Sequence, residues 1–231
     1  MKTLKLMEKL KKIPVFGVSE LAKITGLKPA AVRMLAWRLS KRGLITRIER
    51  SKYTTMDEPL VIAAYLVRPS YIGLYSALRF HNMTTQMPNA IDVMVPKARK
   101  ETKISDRPVI FTKTKHFWGF GKYRAGEFEI LVSDPEKTIV DCLLSGKVRP
   151  HAVFEALMSR EMDEGRLFEY VQKTGDSALG KRLGFLMERA GRDAMRYRMY
   201  PTGAYVKLDV STPKKGRKNK EWKVIENTVI Q

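Results

Sequence analysis

Residues 19–53 read SELAKITGLKPAAVRMLAWRLSKRGLITRIERSKY, and this stretch decides the fold. Ser19 is placed to cap a short helix, because its hydroxyl can accept from an orphan backbone N–H of the first turn. Leu21, Ala22 and Ile24 give that helix an apolar side, and Gly26 supplies the left-handed residue that ends it. Pro29 stands where a second helix begins, at the position where its missing N–H costs nothing. Val32, Leu35 and Leu39 follow at spacings of three and four, the period of a buried helical stripe. Gly43 closes the helix. Beyond it Leu44, Thr46 and Ile48 alternate with Ile45, Arg47 and Glu49, the period of a strand, and Lys52 and Tyr53 begin the return strand of a basic wing. The order reads as a winged helix-turn-helix.

Duplex DNA is the ligand this arrangement suits. A helix fits the major groove, a hairpin can lie along the backbone, and cations on both neutralise phosphates. Lys28, Ala30, Ala31 and Arg33 fall at the N-terminal end of the recognition helix, which usually reaches base edges. Arg33 is the candidate for a bidentate contact to guanine, while Ala30 and Ala31 permit close approach and can touch a thymine methyl. Arg38, Lys41, Arg42, Arg47, Arg50 and Lys52, with Tyr53 beside them, suit phosphate contacts that add affinity without sequence information. Trp37 is open to two readings, and packing against a domain interface is favoured over a DNA contact.

Composition agrees. The 231 residues carry 44 Lys and Arg against 24 Asp and Glu, a net charge of +20, which calls for an anionic partner. Hydrophobic content of 44% with 9% aromatics describes a folded chain. At about 100–150 residues per domain, the length suggests two: a DNA-binding domain over 1–58 and a larger one over 59–231. Cys142 is the sole cysteine, so neither an internal disulfide nor a cysteine-rich zinc site is expected. The N-terminus lacks the apolar core of a signal peptide, and the longest apolar run, 60–67, is too short to span a bilayer. A soluble cytoplasmic protein without a membrane partner is expected.

In the second part, IDVMVP (91–96), PVIFTKTK (108–115) and EFEILVSD (127–134) read as strands, rich in β-branched and aromatic residues. A helix over SYIGLYSALRF is expected to be capped by Ser70. HFWGFGKYRAG reads as a loop or hairpin whose glycines take positive φ; its Lys122, Tyr123 and Arg124 are candidates for a second nucleic-acid contact. Asp134 and Pro135 open a helix ending at Gly146, Pro150 opens another over HAVFEALMSR, Asp163 is placed to cap EGRLFEYVQKTG, and SALGKRLGFLMERAG reads as a fourth. AYVKLDV and EWKVIEN read as two strands flanking a loop. That loop carries Lys214, Lys215, Arg217, Lys218 and Lys220, either a solvated charge run or a phosphate-binding arm. The fold class expected is α+β: a winged helix followed by a mixed sheet-and-helix domain.

IGLYSAL, TTQMP, FWGF, ILVSDPEKTIVDCLL, LGKRLGFLME and KLDVSTPKKGRKNKEWKVIEN, in that order, resemble the AbiEi family. These are antitoxins and transcriptional regulators of type IV toxin–antitoxin and abortive-infection systems, often described as regulators of viral defence. The resemblance implies a repressor whose winged domain binds inverted repeats upstream of its own operon. It also implies a C-terminal domain that counteracts a nucleotidyltransferase-like toxin without a stable complex. Useful specificity needs two half-sites, reached by a homodimer or by cooperative monomers.

Two other classes bound this reading. A metal-dependent nucleic-acid enzyme would converge Glu127, Glu129, Asp134, Glu136 or Asp141, with Lys137, on one cavity. Asp134 is better explained as a cap and Glu136 as a first-turn anion, and His81, His116 and His151 have no metal-pair or triad spacing, so no catalysis, metal or cofactor is expected. A non-specific basic nucleic-acid binder would show no sequence preference.

Overall fold

The computed structural model describes residues 3–159 and 162–230. The N-terminal part opens with α1 (Thr3–Lys11), which buries Leu6 and Leu10. After β1 (Phe16–Gly17) comes α2 (Val18–Thr25). Its cap is Gly17 rather than Ser19: the Glu20 carboxylate, three residues on, accepts from the Gly17 N–H at 2.8 Å. Ser19 lies one residue inside and donates to the same carboxylate. Gly26 takes φ +72 and donates to the Ala22 carbonyl, closing the turn.

The next helix, α3 (Pro29–Lys41), starts at the proline as its sequence requires, and buries Val32, Ala36 and Leu39. Leu35, expected in that stripe, is only half-buried and Ala36 takes its place. The closer approach that an alanine permits explains the exchange. Gly43, at φ +67, ends the helix, with the Leu44 N–H on the Leu39 carbonyl. Two strands, β2 (Thr46–Glu49) and β3 (Lys52–Thr54), form an antiparallel hairpin that turns at Arg50 and Ser51, and β1 completes the sheet in the order β1-β3-β2. Leu6, Leu10, Phe16, Leu21, Val32, Ala36, Leu39 and Ile45 fill a core of their own beneath it.

A helix, α4 (Pro59–Leu66), leads to a six-stranded mixed sheet of order β6-β7-β5-β4-β9-β8. Its strands are β4 (Tyr71–Ile72), β5 (Ile91–Val95), β6 (Thr102–Ile104), β7 (Arg107–Lys113), β8 (Phe120–Ala125) and β9 (Phe128–Ser133). The pairs β5/β7 and β4/β9 run parallel; β4/β5, β6/β7 and β8/β9 run antiparallel. Alternation along β5 sends Ile91, Val93 and Val95 to the α4 side, against Val61, Ile62 and Leu66, and Met94 to the other.

The expected helix from Ser70 is a correction. Tyr71 and Ile72 pair with β5 and β9 in mid-sheet, so α5 (Leu74–Phe80) begins only after Gly73. A Cβ at Gly73 would stand 2.5 Å from Met94 Cγ, so the bend there requires glycine. HFWGFGKYRAG, read as a loop or hairpin, forms the first arm of a hairpin: FGKYRA is strand β8 and pairs with β9 along its whole length, with Gly119 and Gly126 at positive φ.

Four helices pack on the far face: α6 (Pro135–Ser145), α7 (Pro150–Ser159), α8 (Glu164–Thr174) and α9 (Ser177–Arg189). Asp134, Asp163 and Asp176 cap α6, α8 and α9 through their carboxylates. The chain ends in a three-stranded sheet, β10 (Val206–Lys207), β11 (Arg217–Asn219) and β12 (Val224–Glu226), with β12 in the middle. The cationic segment expected as a loop thus contains an edge strand. Trp222 anchors this sheet on α9: a Cβ at Gly184 would lie 2.1 Å from its ring. The whole is α+β, as expected. No helix among the described residues is long and apolar enough to cross a membrane.

Candidate nucleic-acid interface

Helix α3 has one face in the N-terminal core and the other in solvent. Lys28, Ala30, Ala31, Arg33, Arg38, Lys41 and Arg42 are all exposed. The helix contains no carboxylate, and among the described residues none of its cations forms an ion pair. Arg33 and Arg38 flank the outward line Ala30, Met34 and Trp37, which sits opposite Val32, Ala36 and Leu39. Trp37 is 57% exposed, so it does not pack against a domain interface; its position on the outward line puts it beyond reach of the core.

The hairpin adds Arg47 and Arg50, both exposed, Arg47 with its Nε on the Glu49 carbonyl at 3.2 Å. Lys52 and Tyr53 turn elsewhere. Lys52 Nζ donates to the Leu66 carbonyl at the end of α4 at 2.6 Å, and Tyr53 is half-buried against Phe16, ring centroids 6.3 Å apart. The strand period accounts for Tyr53, which faces the core; Lys52 is captured by an unpaired helix-end carbonyl. Glu49, one residue before the turn, accepts from Arg99 through both carboxylate oxygens at 2.5 Å. Arg99 lies over the Phe111 ring of β7, 5.0 Å from its centroid. The hairpin is thereby braced against the six-stranded sheet. Neither Arg99 nor Met34 stood out in the sequence. Met34 was legible as the residue four after Ala30, whereas the Arg99 contact spans fifty residues and leaves no local signal.

The other cationic candidates differ. Lys122, 3.5 Å from Glu129, and Arg124, on the Gly126 carbonyl at 3.1 Å, are partly satisfied on the β8–β9 hairpin. Lys214, Lys215, Arg217, Lys218 and Lys220 are exposed around β11, with Lys218 and Lys223 both over the Tyr205 ring.

The carboxylates at 127–141 have different partners, although Asp134 lies near enough to Glu136 and Asp141 for their charges to interact. Glu127 and Glu129 are exposed on the hairpin. Asp134 accepts from Lys137 N and from the Tyr170 hydroxyl, each at 2.8 Å, and burial raises its pKa. Glu136 accepts from the Asp163 N–H at 3.0 Å. Asp141 is buried with the Lys137 ammonium and the Tyr71 hydroxyl. Desolvation raises its pKa and lowers that of Lys137. Among the described residues no group of three His, Cys, Asp or Glu side chains is placed to hold a metal ion. The histidines stay apart: His81 lies 2.7 Å from the Ser133 carbonyl, His151 lies 3.1 Å from Glu155, and His116 has its pKa lowered by burial.

The chain is similar in fold to the RV2827C protein from Mycobacterium tuberculosis, whose crystal structure aligns with a TM-score of 0.64 over 95% of this chain and 89% of that one, at 12% identity. No family model and no curated protein matches it.

Proposed function

We propose that this protein is a sequence-specific double-stranded-DNA-binding repressor, with residues 1–58 acting as a winged helix-turn-helix: α3 is the recognition helix and the β2–β3 hairpin the wing. One observation carries the reading. A helix with three exposed cations, Arg33, Arg38 and Lys41, flanked by exposed Lys28 and Arg42, has no carboxylate and, among the described residues, no ion pair; it stands beside a hairpin presenting Arg47 and Arg50. Such a surface is costly in self-repulsion and is compensated by phosphates on either side of a groove. Repression would follow from occlusion of a promoter, with no chemistry performed. The order of motifs that resembles AbiEi antitoxins supports regulation of its own operon through inverted repeats. It also supports antitoxin action by residues 59–231 against a nucleotidyltransferase-like toxin without a stable complex.

The test is binding to the DNA upstream of the protein's own gene, against scrambled duplex, at two salt concentrations. Non-specific complexes have Kd about 10⁻⁴–10⁻⁶ M at physiological salt, and a specific site is at least about 10³-fold tighter. Arg33→Ala is expected to cost about 5- to 150-fold on the specific duplex, the loss of a base contact worth about 1–3 kcal/mol. Arg50→Ala is expected to weaken both duplexes equally. Equal affinity for the two duplexes, falling together with salt, would leave a charge-driven binder instead.

A further inference from the structure

The outward crest of α3 is apolar. Ala30, Met34 and Trp37 follow at intervals of four and three, on the side opposite the buried Val32, Ala36 and Leu39. Met34 is 52% and Trp37 57% exposed, the latter far more open than a tryptophan ordinarily stays. Cations border the line throughout: Lys28 at its start, Arg33 and Arg38 on its flanks, Lys41 at its end. An occupant must therefore combine dense negative charge at its margins with apolar groups along its floor.

A second copy of this chain does not meet that requirement. Pairing α3 with itself across a two-fold axis would set the same cations against each other without an intervening carboxylate. The major groove does meet it. Phosphates line both walls, and the one apolar group that a base edge presents there is the 5-methyl of thymine. The A-form groove of duplex RNA is too narrow for a helix, and RNA lacks that methyl.

We infer that α3 selects its site by seating Met34 and Trp37 on thymine methyl groups, so that the cognate half-site carries thymines where the crest of the helix crosses the groove. Ala30 keeps the helix close enough for the contact, and Arg33 and Arg38 reach the flanking guanine or phosphates. The inference rests on the DNA-binding reading above and specifies what is recognised.

The full-length protein is used to enrich duplexes from a randomised pool, and the enriched sequence is remade with deoxyuridine in place of thymidine. The change deletes the methyl and keeps base pairing. The expected result is an enriched site with thymines, weakened about 4-fold for each methyl buried (about 0.8 kcal/mol). Met34→Ala with Trp37→Ala should bring the thymine-to-uracil ratio close to one, while Arg33→Ala lowers affinity and keeps the ratio. Both positions are exposed, so the variants keep the core intact. A selected site that binds equally well with uracil would overturn this inference and leave sequence-specific binding standing. A ratio unchanged in the double variant would also overturn it, by assigning the methyl effect to DNA shape. No enrichment from the pool would remove the repressor reading itself.

Discussion

Lys137 has no exposed surface, and its ammonium rests between the Asp141 carboxylate and the Tyr71 hydroxyl, 3.3 Å from the latter. Its stem covers Gly119, where a Cβ would meet Lys137 Cγ at 3.0 Å. A second buried charge invites a direct measurement. Asp92 lies in mid-sheet, where desolvation raises its pKa to about 6 against the backbone N–H groups of Ser76 and Tyr75 and the charge of Lys147. Because the folded pKa lies above the unfolded 3.8, the stability tied to Asp92 is complete below about pH 4 and is lost as pH rises through about 6. Asp92→Asn should therefore raise the urea midpoint at pH 7.5 and give no gain at pH 4. The difference is at most about 3 kcal/mol, at about 1.4 kcal/mol for each pKa unit. A gain of the same size at both pH values would refute the assignment. At this scale the sequence was readable where the cause is local: Asp134 caps because Pro135 follows it and Lys137 N is three residues on. That Lys137 itself points inward was not readable, since Tyr71 is 66 residues away.

The β2–β3 hairpin is the element whose behaviour can be changed by one residue outside it. Arg99 holds Glu49 through both oxygens, and Lys52 is tied to the last turn of α4. Arg99→Ala should release the hairpin without melting the core made by Leu10, Phe16 and Leu21. The checks are faster hydrogen exchange at Arg47–Tyr53 and, on the proposed DNA-binding reading, DNA affinity reduced about 3- to 10-fold with the sequence preference kept, the result expected if the hairpin meets phosphates. Unaltered exchange would mean that the brace is not what orders the hairpin. Helix α3 was legible from Pro29 to Gly43 because cap, stripe and stop are all written within its own residues. The Ser70 helix start failed for the opposite reason: strand pairing of Tyr71 and Ile72 with β5 and β9 outweighed local propensity.

Across the whole molecule the net charge of +20 is unevenly committed. Many C-terminal arginines are paired, among them Arg166, Arg189 and Arg198, whereas Lys28, Arg33, Arg38, Lys41, Arg42, Arg47 and Arg50 carry no ion pair among the described residues. If these cations meet phosphates, log Kd against log salt should have a slope of magnitude about 4–6 per bound chain, at about 0.9 for each phosphate. A slope near one would place the DNA elsewhere. The α+β class, helix α3 and the main strands β5, β7 and β9 followed from periodicity and turn residues, whereas β4, β6 and β11 did not. The three separate cores and the brace between hairpin and sheet did not, because they depend on contacts between distant segments. The three tryptophans fall in three different regions of the fold. Trp37 is open on α3, Trp118 is half-buried between the Lys137 and Lys173 ammonium groups, and Trp222 is sealed against α9 with its indole N–H on Glu188. The chain thus carries its own set of optical probes. Emission from Trp37 reports on ligands at α3, that from Trp118 on the joint of sheet and helices, and that from Trp222 on the C-terminal sheet, so single-tryptophan variants can follow each region in the same protein without a dye.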